Sequence, residues 1–495
     1  MTQINDQMVR QVVEKVLAQV RGGWGERAAP TPGAGAAPPI SAGRSTNRFG
    51  QFTKVAEAVE AAKVAQRALA KRSLAQRESA VEEIRRIITS QADALGRMEY
   101  EETRIGHPPH KPEKLRGAAG LAQGVRGLGT DCFSGDHGIT LDERGPWGVI
   151  GVITPVTHSL PTLAVNAMDI LAAGNSLVCN PHPGGRKIAA HGAKLFNQAI
   201  HEKLGIDNLI CVLAEPTLET AQEIFTHPDV GMLAVTGGPG VVAAALRSGK
   251  RAICAGPGNP PVVVDASADL ANAARCILEG ASFDNNLLCL SEKEVFVVAD
   301  VFEAMMDAMA QAGAHRLSSK QMDELARLCI ETPAGGERSR AEDGGLPHAN
   351  RTYVGAEPQT IAREIGVTVP KDCRLLYGET AAMHPFVQAE QMMPVLPFVK
   401  CGSFEQAVDA AKQAEHGFRH TAVIHSRLVD HMTHMGKEIN TTIYVKNGPS
   451  LAGNGAGGEG YGSYSIACTT GEGIVTPATF TRFRRCCMVD NLRIV

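Results

Sequence analysis

The chain has 495 residues, of which 44% are hydrophobic and 20% charged, with a formal charge of −3. That length asks for two or three domains with sizeable cores, and the balanced charge supplies no basic surplus for nucleic acid. The first twenty residues lack the continuous apolar run of a secretory leader, no stretch is apolar enough to span a bilayer, and twelve cysteines without a CxxC pair read as reduced thiols rather than a disulfide framework.

In chain order, Ile4, Met8, Val9, Val12, Val13, Val16, Leu17 and Val20 recur at spacings of three and four, which predicts an amphipathic helix over residues 1–21. Residues 22–47 are an Ala/Pro/Gly stretch with little to bury, a tether. The helix either packs on its own domain or docks on a partner; the tether favours a partner surface. The body starts near Phe49. Residues 54–103 carry two or three helices at helical period, and residues 131–145 form a hairpin or arm. GVIGVITP (148–155) is a buried strand closed by Pro155, followed by a helix near 160–172, the strand NSLVCNP and a further helix. This alternation continues through LICVLAEP and GMLAVTGGPG and predicts a parallel sheet covered on both faces, of dinucleotide-binding type. A second α/β block opens at PPVVVDASAD, with a polar surface excursion at 331–350 and an interface strand expected near the C-terminus.

The central chemical candidate is Cys289 in FDNNLLCLSEKEVFVV. A nucleophilic thiol needs access, a route to thiolate and donors for the oxyanion formed on attack. Asp284, Asn285 and Asn286 precede it and a strand follows, so it can point into a cleft; a lone cysteine is more often a small buried hydrophobe. VTGGPGVV (235–242) sits between a strand and a helix, where its amides can face a pyrophosphate. The literal GxGxxG of Gly453, Gly455 and Gly458 has no strand–helix unit around it and is a false lead.

The segments ITPVTHSLP, LAAGNSLVCNP, AVTGGPG, CAGPGNPPVVVD, FDNNLLCLSEKEVFV, EQMMPVLPF and TTGEGIVTP, in that order, resemble the aldehyde dehydrogenase superfamily. Within it the chain is most similar to the CoA-acylating members, and among those to the ones that act on propionaldehyde in propanediol-utilising bacterial microcompartments. The resemblance covers residues 50–495, and residues 1–21 resemble the encapsulation peptide of those enzymes. It implies an α/β fold with a Rossmann-type cofactor domain, an α/β catalytic domain and a small oligomerisation arm. The expected boundaries are 48–252 for the domain binding NAD and coenzyme A, with 423–464 returning to it, 253–422 for the catalytic domain, and 131–145 with 465–495 for the oligomerisation elements.

Carried over by position, Cys289 matches the nucleophile. Pro155, Val156 and Thr157 match the family's Pro-Trp-Asn, so that Thr157 offers the oxyanion a hydroxyl in place of an amide. Gly237, Gly238 and Pro239 match the Gly-Ser-Thr loop beside the cofactor pyrophosphate, and Glu390 matches the glutamate on the nicotinamide ribose. Asn180 stands where many hydrolytic members carry the adenosine-ribose lysine, which favours NAD over NADP. Thr154, Pro181, Thr236 and Gly256 complete the implied cofactor set.

The most informative departure is Ala255, where hydrolytic members carry the glutamate that activates water. A Cys289 thioester without that base should hydrolyse slowly and await a thiol, which implies acyl transfer to coenzyme A. The resemblance further implies 1,2-propanediol degradation in a microcompartment lumen within the cytoplasm, docking of residues 1–20 on a shell protein or another cargo, and a homodimer or homotetramer. The rivals are a hydrolytic aldehyde dehydrogenase, an acyl-phosphate reductase and a non-catalytic cargo adaptor. His416, His420, His425, His431 and His434 are dense, but only His416 and His420 have helical spacing and no cysteine completes a zinc set. His107 and His110 read as loop residues, Cys486 and Cys487 as interface packing, and Met392 with Met393 as core or pocket lining.

Overall fold

The computed structural model describes residues 49–332 and 345–494. The expected helix at 1–21, the tether at 22–47 and most of the 331–350 excursion lie outside the described residues.

A six-stranded parallel sheet is ordered β1 (Gln51–Phe52), β6 (Ile210–Leu213), β5 (Ser176–Pro181), β4 (Val149–Thr154), β7 (Val230–Thr236), β8 (Ala252–Ala255). Every residue of β4 and β5 is buried, as expected of central parallel strands covered on both faces. Three helices span 54–103. The second, Leu74–Ser90, opens on a capping box between Ser73 and Gln76 and buries Ala80, Val81, Ile84, Ile87 and Ile88. The helix Ser159–Ala172 is buried at all fourteen positions, because it sits in the middle of this core and has no solvent face.

The second sheet is also parallel, ordered β11 (His315–Leu317), β14 (Leu376–Glu379), β15 (Val395–Cys401), β10 (Glu294–Val298), β9 (Pro261–Val264), β16 (Thr421–His425), β17 (Ile443–Lys446). Strand alternation splits its core: Val295 and Val297 pack in one cluster with Ala273, Ile277 and Phe302, while Phe296 and Val298 pack in another with Phe404, Ala407 and Val408. The antiparallel pair β12 (Ile330–Glu331) and β13 (His348–Ala349) flanks the polar excursion.

The third unit is an antiparallel sheet in which β2 (Asp131–Gly135) and β20 (Thr481–Val489) flank β3 (Gly138–Pro146). This is the expected hairpin joined by the C-terminal strand. Two expected boundaries are corrected. Residues 423–464 do not return to the first sheet, since β16 pairs with β9 and β17 with β16; the β-branched TAVIH strand extends the nearest open parallel edge. The return is made later: around the short pair β18 (Ile466–Ala467) and β19 (Gly473–Ile474), Ala467, Val475 and Phe480 pack into the first core. Of 465–495, the part in the arm sheet is β20.

Candidate active site

The two parallel sheets present opposite ends to one cleft. From the first sheet come the C-terminal ends of β5, β4, β7 and β8, where Thr154 pairs with Pro181 and Thr236 with Ala255. Thr154, Pro155, Asn180, Pro181, Thr236, Gly237, Gly238, Pro239 and Gly256 all fall at or just beyond these ends, the edge at which open α/β sheets bind ligands. From the second sheet come the N-terminal ends of four neighbouring strands. Glu390 precedes β15, Cys289 precedes β10, Gly258 precedes β9 and His420 precedes β16. Residues 256–260 carry the chain from β8 into β9, so the segment after Ala255 is the crossing itself. A methyl at Gly258 would lie 2.7 Å from the Cys289 carbonyl and 2.9 Å from the His420 ring, which explains a glycine at the crossing.

The loop that delivers Cys289 is strained. Asp284, Asn285 and Asn286 hold φ of 48°, 54° and 65°, a left-handed run costing about 1 kcal/mol per residue, tolerated best by Asp and Asn. Each is held by its side chain. Asp284 accepts from Lys111 Nζ at 2.9 Å, Lys114 Nζ at 2.5 Å and the His107 amide at 2.9 Å. Asn285 Nδ2 donates to the Gly355 carbonyl at 3.0 Å, and Asn286 Nδ2 to those of Ala281 and Glu292 at 2.8 and 2.9 Å. The buried ammonium of Lys293 donates to the carbonyl of Asn286 at 2.8 Å and that of Leu288 at 3.3 Å.

Cys289 itself is partly buried. Burial pushes its thiol up to about 12, the carboxylate of Glu390 and the Cys468 thiol push the same way, and Lys293 opposes them. Glu390 is raised to about 7 by burial against the opposing pull of Lys293 and the Gly258 amide. Burial draws Lys293 down to about 8, with Glu390 and Cys289 acting against it. Cys289 therefore rests as a neutral thiol beside a carboxyl that exchanges its proton near neutrality.

Opposite the thiol loop, Thr157 lies in the turn before the helix Ser159–Ala172, and its carbonyl accepts from Lys114 Nζ at 2.9 Å. Its neighbour His158 is the buried residue of that turn, with its ring 5.5 Å from that of Tyr464. At the cofactor edge, the helix Pro239–Arg247 begins at Gly238, which provides no side-chain cap and has open space where a Cβ would stand. Pro239, its first residue, has no N–H, so the Gly240 and Val241 amides of this first turn are the ones turned toward an anion. Thr236 Oγ1 lies 2.9 Å from Ser465 Oγ. Asn180 is spent internally: its Nδ2 donates to the Thr217 carbonyl at 3.2 Å and its Oδ1 accepts from Thr220 Oγ1 at 2.6 Å.

Sequence reasoning missed Lys111, Lys114, Lys293 and the active-site position of His420. Nothing in HKPEK or SEKEV marks those lysines as buried; both read as charged surface. The histidine pair at 416 and 420 is not helical, because the helix Phe404–Ala414 has ended. His416 Nε2 meets the Gln388 carbonyl at 3.0 Å, while His420 is buried and lowered to about 4 by burial and then by Lys293. Among the described residues no three His, Cys, Asp or Glu side chains converge on a metal position. The GxGxxG run at 453–458 begins inside a 3-10 turn, Ser450–Asn454, whose Ser450 amide and hydroxyl both donate to buried Glu292 at 2.8 Å.

Residues 46–330 match the model of the aldehyde dehydrogenase family. The chain is 40% identical to the acetylating acetaldehyde dehydrogenase of Salmonella typhimurium, over 99% of this chain and 100% of that protein. It is 39% identical to the CoA-propanoylating propanal dehydrogenase of Citrobacter freundii, over 90% and 94%. Among solved structures, the Rhodopseudomonas palustris propionaldehyde dehydrogenase with bound CoA and an acylated cysteine superposes with a TM-score of 0.85 at 41% identity, covering 90% of this chain and 100% of that one. The propionaldehyde dehydrogenase of the Clostridium phytofermentans fucose-utilisation microcompartment gives 0.86 at 42%, with the same coverage. Two parallel sheets meeting at a half-buried cysteine, with these relatives along nearly the whole chain, place it in the aldehyde dehydrogenase family, among its CoA-acylating members.

Proposed function

We propose that this chain oxidises a short-chain aldehyde, propionaldehyde first among them, to its acyl-CoA through a thioester on Cys289, as a step in 1,2-propanediol degradation inside a bacterial microcompartment. The observation that carries the reading is the pairing of Cys289 at the cleft with Ala255 at the end of β8, where buried aliphatic surface replaces a water-activating carboxylate. The free amides after Gly238 fit a dinucleotide pyrophosphate, and Thr154, Pro155, Pro181, Thr236, Gly237, Pro239 and Gly256 surround that edge. Asn180, tied to Thr217 and Thr220, contributes its backbone.

NAD supplies the hydride acceptor, and the thiol of coenzyme A is the acyl acceptor. The chain's own residues do the rest. Cys289 forms the bond to the aldehyde carbon and releases its proton to solvent, and Glu390 takes the nicotinamide ribose. Thr157 donates a hydrogen bond to the oxygen that becomes negative. The three held side chains of Asp284, Asn285 and Asn286 fix the sulfur, so little reorganisation accompanies attack. Residues 1–20 dock on a shell protein or other cargo, and the arm of β2, β3 and β20 joins copies of the chain.

The test is NADH and acyl-CoA formation across two- to four-carbon aldehydes, with and without CoA, for the parent and for Cys289→Ala. The expected outcome is steady NADH production only with CoA, the highest kcat/KM at three carbons, and no thioester from the alanine variant. Full-rate free acid without CoA would instead establish a hydrolytic enzyme. A variant that still turns over would place the nucleophile elsewhere.

A further inference from the structure

Lys114 lies on the helix His110–Leu121, outside both strand edges that form the cleft, yet its ammonium bonds both the loop before Cys289, at Asp284, and the turn after β4, at Thr157. The side chain is fully buried, as is that of Asp284. Of the three N–H donors of a lysine, one goes to Asp284 Oδ2 at 2.5 Å and one to the Thr157 carbonyl at 2.9 Å. Asp284 begins the left-handed run that ends at the Cys289 loop. Thr157 belongs to the turn that enters the helix Ser159–Ala172. The same turn is held further along by Glu99, whose Oε1 accepts from the Leu160 amide at 3.2 Å. Tyr464 Oη donates to the Lys114 carbonyl at 3.0 Å, which fixes the lysine's own backbone. Lys111 provides a built-in comparison. It is equally buried and donates to the same Asp284 Oδ2 at 2.9 Å, with no bond to Thr157.

We propose that Lys114 is a positioning residue that sets the separation between the Cys289 loop and the oxyanion-binding turn at Thr157. This rests on the reading of Cys289 as nucleophile and Thr157 as oxyanion donor. Both lysines neutralise Asp284, but Lys114 alone of the two spans the cleft. Losing either destabilises the buried charge cluster; losing Lys114 also releases the Thr157 turn from the thiol loop. An oxyanion donor displaced from its acceptor position weakens carbonyl addition, while displacement of halide from iodoacetamide, which builds no such oxyanion, is spared.

The experiment compares Lys114→Met, Lys111→Met and Lys114→Arg in the full chain. It reads the first-turnover NADH burst with aldehyde, the rate of Cys289 alkylation by iodoacetamide, and Tm. The two methionine variants are expected to lose similar Tm and to alkylate within about threefold of the parent. The burst is expected to fall on the order of 10²-fold for Lys114→Met, the size of losing one oxyanion donor, and far less for Lys111→Met. Arginine, which also reaches two acceptors, restores much of it. If Lys114→Met does not fold, Lys114→Gln is read against the same thresholds. Equal burst losses at 111 and 114, an unchanged burst at 114, or alkylation falling in step with the burst would each overturn the proposal. A parent that makes no NADH at all would instead refute the functional reading.

Discussion

At Cys289 the balance of two neighbours decides reactivity. Burial, and after it Glu390, holds the thiol neutral, and Lys293 works the other way. A neutral amide at position 390 removes the negative neighbour, so the thiol's pKa falls and the thiolate fraction at a given pH rises. Below its pKa, that fraction grows tenfold per pH unit. Glu390→Gln should therefore raise the iodoacetamide rate several-fold at pH 8 and leave it unchanged near pH 6, where Glu390, with its pKa near 7, is itself protonated. Equal rates at pH 8 would show that the carboxylate does not govern the thiol. Cys289, Glu390 and the glycines beside them were legible in the sequence because their neighbours form ordered motifs. The lysines were not. A buried ammonium and a surface one have the same letter, and the difference lies in acceptors such as Asp284 and Asn286 that become neighbours on folding.

Among the elements, β20 is held almost wholly by one neighbour. All its residues after Thr481 are exposed, it pairs with β3 alone, and Phe483 and Val489 are 64% and 66% exposed. Arg485 clamps Asp142 of β3 through two bonds, at 2.7 and 2.6 Å. An open nine-residue edge with large apolar side chains is a template for another strand or surface. Phe483→Asp is expected to reduce the assembly mass measured by light scattering. Within one chain it removes a cation–π contact with Arg144, worth about 0.5–1 kcal/mol at an exposed site, too little to unfold the body. An unchanged mass would exclude Phe483 from the interface. The hairpin at 131–145 and the terminal strand were both visible as segments, but their pairing joins residues some 340 positions apart, as in Asp142 with Arg485, and no local pattern encodes that partner.

Over the whole molecule, the proposed reading separates catalysis from location along the sequence. The residues assembled at the cleft all lie between Lys111 and Cys468, whereas the apolar residues Ile4, Met8, Val12, Val16 and Val20 precede a segment of low apolar content. Deleting residues 1–20 should leave kcat and Tm close to those of the parent while abolishing co-purification with shells. Fused to an unrelated soluble protein, the same segment should carry that protein in. Truncated enzyme that still co-purifies in full, or that unfolds, would remove the peptide from this role.

The amino-acid order alone determined the two α/β blocks, the strand–helix alternation of the first, the position of Cys289 ahead of a buried strand, and Ala255 in place of a carboxylate. Those are local facts: hydrophobic period, turn residues and motif spacing act over a few residues. The tertiary structure decided that 423–446 extends the second sheet, that Ala467, Val475 and Phe480 return to the first core, that Asn180 is occupied by Thr217 and Thr220, and that Lys111 and Lys114 converge on Asp284. Each depends on which distant segment supplies an edge, an acceptor or a counter-charge. In the site, the facing ends of two sheets and one buried ammonium set the distance between the thiol and the turn opposite, and that distance exists only once both cores have closed.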